Sequence, residues 1–474
     1  MKLKNLLLFF VFAIGSASFL NAQTTVTLTG KAPEYHGYKI EIFRFLDGIS
    51  KQKQLVTSFK IADDGSFSST FPLEEITYIF TQFDAYKASL FLKPGEKYDL
   101  IFPPIKKVAA NQKRNPFFNP DEISFALKNS DSSELNRLIQ QFEIAYLKEE
   151  SRYFNQIYNL HSAAAVDSLK IHLQQLFEKT NQPYFEQYKF YRTAFAEFTL
   201  HQGQSDTFVK TYFINQKPDL LVPPCQRLFS QVFSDYFAFA GNQIRSDDFK
   251  KLVAQSNLSG LENYLVTQNR WDANLSRLVI LRGINDAYFQ GQFSQKSLMR
   301  LLDKIATSQW NLTQKSIAKR LKHQLTYLQA GSSAPDFSMT DFSGNKHQLS
   351  DFSDKYVYLN FTRVANPICR QHLDQMKQFS PQLANELHIL NLILPEEADK
   401  KELIQQQNWK GNFFIVDEKT ADTYRVTNFP IAYLIDKKRQ LILSPAPNPL
   451  DGFEQQFLNI LKQKHLEDLR NQSK

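Results

Sequence analysis

Cysteine is scarce in this chain: only Cys225 and Cys369 occur among 474 residues. That number excludes a disulfide scaffold, and hydrophobic burial must hold the cores together. Both thiols are expected to be unpaired and at least partly buried, since free cysteine behaves as a small hydrophobe; a single bridge between them is the alternative. None of the nine histidines stands at metal-ligand spacing from a cysteine or another histidine, so neither a metal nor a cofactor is expected. Also missing are a phosphate-binding glycine loop, a Gly-x-Ser-x-Gly elbow and a dinucleotide fingerprint. The sequence has no fixed repeat period, which argues against a regular solenoid. Glycine and methionine are few, at 15 and 4, against 42 Phe and 20 Tyr, so the cores should be aromatic-rich, with an exposed aromatic binding face as the alternative. The net charge of +8 contains no run of five basic residues, and we read it as a solvated surface rather than a nucleic-acid footprint.

Long apolar runs are also missing, except at the start. Lys2 and Lys4 precede the run Leu6 to Ile14, and Ala22 offers a small residue for cleavage. This is the pattern of a secretory signal peptide, residues 1–22. No later run is long enough to span a membrane. The mature protein is therefore expected in the periplasm or cell envelope, with no transmembrane segment after cleavage.

The remainder divides by period. Residues 24–104 alternate in short stretches, as in Tyr38-Lys39-Ile40-Glu41-Ile42-Phe43, with turn signals at Asp64-Gly65 and Pro94-Gly95. They predict an N-terminal antiparallel β-sandwich, followed by a linker to about Pro120. Residues 121–328 change to three- and four-residue spacing, as at Leu135, Leu138, Ile139 and Phe142, and predict a central all-α region. Asp167-Ser168 is the expected cap of the helix through Leu169 and Leu173. Residues 331–467 alternate strand and helix, with strands near 355–362, 387–395, 412–416, 431–436 and 440–444. Helices are expected over 367–384, 397–408, 417–424 and 449–465, giving an α/β layer fold.

Within this last segment lies Asn366-Pro367-Ile368-Cys369-Arg370, between the apolar run Tyr356 to Phe361 and a helical pattern. Further along is Asn428-Phe429-Pro430 before Ile431 to Asp436. With Ala334-Pro335-Asp336-Phe337 and Leu349-Ser350-Asp351-Phe352, these residues resemble the thioredoxin-like family of exported reductases, the TlpA/ResA type related to AhpC/TSA. Asp64-Gly65-Ser66-Phe67 and Leu92-Lys93-Pro94-Gly95 resemble the DUF4369-like β-sandwich that precedes such domains in Bacteroidetes-type envelope proteins. The resemblance implies a thioredoxin-like fold in which Asn366 stands at the nucleophilic cysteine, Ala365 at the preceding Trp, and Cys369 at the resolving cysteine. It also implies a cis proline at Pro430, beside a groove (Phe429, Pro430, Pro367) that pairs with an extended peptide.

Asparagine cannot attack a disulfide, so the dithiol cycle is unavailable. Cys369 reads either as a core-facing helix residue or as a single reactive thiol. Asn366-Pro367-Ile368-Cys369 also resembles the Thr/Ser-x-x-Cys of peroxiredoxins, although Thr362 stands where that motif has proline. Pro430 reads either as part of a peptide groove or as a residue that preserves the fold. His372, three residues after Cys369, is expected at the surface, and Glu396-Glu397 as helix-start residues. The leading expectation is an envelope protein that binds a protein or peptide partner without redox chemistry. The alternative is a single-cysteine thiol-disulfide oxidoreductase, or a one-cysteine peroxidase, working through Cys369.

Overall fold

A computed structural model describes residues 24–108, 118–128, 131, 133–200, 206–242 and 246–472. The expected signal-peptide segment and part of the expected linker lie outside the described residues. The chain has an N-terminal β-rich region, a central helical region and a C-terminal α/β domain, as expected. It groups into two compact units, one reaching Lys106 and including Asp121–Phe229, the other including Ser230–Lys474.

In the first unit, nine strands form two sheets around one core. They are β1 (Thr25–Lys31), β2 (Lys39–Phe45), β3 (Lys53–Lys60), β4 (Ser66–Pro72), β5 (Thr77–Phe83), β6 (Tyr86–Leu92), β7 (Lys97–Ile101), β8 (Asp121–Ser124) and β9 (Ala126–Leu127). The sheet orders are β4-β1-β7-β9 and β3-β2-β5-β6-β8. Most pairings are antiparallel; β1 with β7 and β6 with β8 are parallel. Strands β8 and β9 fall at the start of the stretch expected to be helical, where short runs give too little alternation to register. Gly65 makes the predicted turn at φ +82°, with its position crowded against Pro33 Cα at 2.5 Å from any added Cβ. Helices Leu135–Arg152, Ala163–Leu176 and Pro183–Phe198 bury an aromatic core that includes Phe142, Tyr146 and Phe185. The cap of the second helix is Ser162, accepting from the Ala165 amide, and Asp167 and Ser168 sit inside the helix.

In the second unit, helices between Tyr236 and Thr326 precede seven strands. These are β10 (Ser338–Thr340), β11 (Lys346–Gln348), β12 (Tyr356–Phe361), β13 (Leu387–Ile393), β14 (Asn412–Ile415), β15 (Ile431–Ile435) and β16 (Leu441–Ala446), ordered β11-β10-β14-β13-β12-β15-β16. Every residue of β12 is buried, as its unbroken apolar run requires for a strand covered on both faces. Alternation sends Val357, Leu359 and Phe361 into one core and Tyr356 and Tyr358 into the other. Each fully buried side chain of this size contributes about 1.5–3 kcal/mol. The helix expected over 367–384 is broken into Pro367–Lys377 and Leu383–Glu386. Pro381 lacks an amide proton and disfavours helical backbone in the residue before it. The last helix runs Phe453–Gln472, after a turn Pro449–Asp451.

Candidate functional site

The register of β12 decides which loops meet. Phe361 pairs with Leu392 of parallel β13 and with Ile431 of antiparallel β15. Residues 362–366, 394–400 and 428–430 therefore gather at one end of the sheet, where the helix Pro367–Lys377 begins. Three segments far apart in sequence meet there.

Asn366 is the N-cap of that helix. Its backbone is extended (φ −84°, ψ 123°), and its side-chain oxygen accepts from the Ile368 amide at 2.9 Å. Pro367 follows at the first helical position, where a missing amide proton costs nothing. Asn366 is half-buried, while Pro367 and Ile368 are exposed. Cys369, three residues on in the first turn of the helix, is 0% exposed. Burial pushes its thiol up from the ordinary value, with a partial offset from the Arg363 backbone. The direction of this shift favours the thiol over the thiolate, and the thiolate is the nucleophilic form.

The loop between β12 and the helix is held by a residue that the sequence marked only as a helix start. The Glu397 carboxylate, 4% exposed, accepts from the Val364 amide at 2.7 Å and the Ala365 amide at 2.9 Å. Arg370 donates to the carbonyls of Val364 (2.9 Å) and Ala365 (3.1 Å) from the other side. The N–H and C=O groups of both Val364 and Ala365 are thereby engaged. Arg363 bridges to the opposite loop: its guanidinium donates to Glu396 at 2.8 Å and lies 4.8 Å from the centre of the half-buried Phe429 ring. The Phe429–Pro430 peptide is cis. Arg363, Glu396 and Glu397 have no local motif that would have marked them as a set.

His372, expected at the surface, is only 6% exposed. The helix face that carries it packs on the turn Pro449–Asp451, a contact that helical periodicity around residue 372 does not encode. Burial pushes its pKa down, opposed by the Asp451 charge. Cys225 is likewise free and buried, and burial pushes its thiol up. Among the described residues no cluster of three or more His, Cys, Asp or Glu is placed to hold a metal ion, and no helix is long and apolar enough to cross a membrane.

Residues 330–444 match the AhpC/TSA family. Over 133 residues, 27% of this chain and 75% of the relative, the sequence is 30% identical to thioredoxin-like protein YneN of Bacillus subtilis. It is 29% identical over 119 residues to the thiol-disulfide oxidoreductase ResA of Geobacillus kaustophilus, covering 24% of this chain and 68% of the relative. Among solved structures, a thiol:disulfide interchange protein from Bacteroides sp. aligns at 23% identity with a TM-score of 0.26, covering 28% of this chain and 92% of that one.

Proposed function

We propose that this chain, which belongs to the AhpC/TSA family of thioredoxin-like proteins, is an exported member without a catalytic dithiol that binds an extended polypeptide beside Phe429 and Pro430. One observation carries the reading: Asn366 serves as the helix cap while Cys369 is sealed beneath it. Disulfide exchange needs one thiolate to attack and a second thiol to release the mixed disulfide. A carboxamide supplies neither, and a buried, protonated thiol has no path to a substrate sulfur.

Recognition by backbone pairing needs no thiol, because an extended peptide gains affinity from main-chain hydrogen bonds. The braced loops support this use: Glu397 and Arg370 fix one wall, and Arg363 stacked on Phe429 stiffens the other. The basic and apolar N-terminal residues Lys2 to Ala22 support export to the envelope.

Thiol accessibility in the folded chain tests the reading. Iodoacetamide should label Cys369 only after denaturation, the protein should not reduce insulin, and extended peptides should bind equally well to Cys369→Ser. Rapid native labelling with a depressed thiol pKa would falsify it, and would instead favour a single-cysteine oxidoreductase or peroxidase.

A further inference from the structure

A cavity of about 810 Å³ opens among the helices Ala163–Leu176, Pro183–Phe198 and Lys210–Ile214 of the first unit. This volume lies within the range of small-molecule sites. Part of the lining is apolar and deeply packed: Phe142, Leu173 and Tyr191 are each no more than 1% exposed. Three lysines also line it, Lys170, Lys189 and Lys217. Each is placed differently.

Lys170 is held by Glu197 and by the Tyr212 hydroxyl at 2.9 Å, and that hydroxyl donates in turn to Glu197 at 2.7 Å. Lys189 is 6% exposed, pairs with Glu186 at 2.8 Å and lies 5.0 Å from the centre of the Phe185 ring. Lys217 is exposed and has no ion pair among the described residues. Two of the three cations are thus answered by one carboxylate each, and the third is not. A lysine ammonium has three donors. Lys170 and Lys189 are fixed in place by their partners, while Lys217 supplies the uncompensated charge beside an apolar wall.

We propose that this cavity binds a small organic monoanion, an apolar body carrying one oxyanion group, with Lys217 as the charge partner. The proposal does not depend on the reading of Cys369. The full chain is titrated with anilinonaphthalene sulfonate, an apolar fluorophore with one sulfonate, and with its neutral counterpart phenylnaphthylamine. The sulfonate should saturate one site, and the neutral dye should bind about tenfold more weakly, the worth of one charge-assisted contact. Lys217→Gln, an exposed position, should lower sulfonate affinity about tenfold with an unchanged circular dichroism spectrum, and leave the neutral dye unaffected. Equal affinity for the two dyes, no saturable site, or unchanged sulfonate binding in Lys217→Gln overturns the proposal.

Discussion

If the proposed reading holds, replacing Asn366 by cysteine should place a nucleophilic thiol at the start of the helix Pro367–Lys377. The substitution keeps the backbone, which already has cap geometry at φ −84° and ψ 123°. It removes the acceptor at 2.9 Å from the Ile368 amide, a cap worth about 1 kcal/mol. The transition of the C-terminal unit should fall by about 3 °C. In exchange, a thiolate at this position receives the same amide and the positive end of the helix dipole. A charged acceptor gains about 2 kcal/mol from the amide and up to about 1 kcal/mol from the dipole. At pH 6 the thiolate fraction should therefore exceed that of a free cysteine about a hundredfold. Cys369 lies three residues on, one helical turn away and below the new thiol. In a glutathione buffer Asn366→Cys should form an internal bridge to Cys369, read by mass spectrometry as a loss of two hydrogens, and should reduce insulin where the parent chain does not. A folded Asn366→Cys protein that labels slowly at pH 6 and forms no bridge would refute the reasoning. So would insulin reduction by the parent chain.

Three further outcomes follow from the same geometry. Glu397→Ala strips the acceptor from two amides at 2.7 and 2.9 Å and should cost about 3 kcal/mol in urea unfolding, with Glu397→Gln intermediate. His372 has a folded-state pKa pushed down by burial, so the unfolded chain binds the extra proton first. Its stabilising contribution is complete above the ordinary histidine value and is lost as pH falls from there through the folded value. Urea midpoints at pH 5 and pH 7 should converge in His372→Leu relative to the parent, and an equal gap in both proteins would contradict this. Gly411 combines φ +94° with a Cβ position 2.6 Å from the Ile389 side chain and carbonyl, so Gly411→Ala should lose about 3 kcal/mol by the same assay.

Much of the C-terminal fold was legible because it is written in short-range pattern. The run Tyr356 to Phe361 falls within the strand expected over 355–362, and Pro367 begins both the expected and the observed helix. The strands near 387, 412 and 431 were found within a few residues, whereas β10 and β11, three residues each, carried too little alternation to see. The break at Pro381 was also present in the sequence, but the helical period on either side masked it.

The site divides along the same line. Local sequence alone determined that Asn366 and Pro367 precede a helix carrying one thiol, Cys369, and that Phe429-Pro430 precedes a later apolar run. Tertiary structure decided what these residues experience. The pairings of Phe361 with Leu392 and Ile431 bring Glu397 under the loop and Arg363 onto Phe429. Packing of the turn Pro449–Asp451 buries His372. Burial and hydrogen bonding at these positions arise from residues 30 to 80 positions away, and local periodicity contains no term for such distant partners. Cys369 shows the division most plainly: its presence is a fact of sequence, and its burial is a fact of tertiary packing.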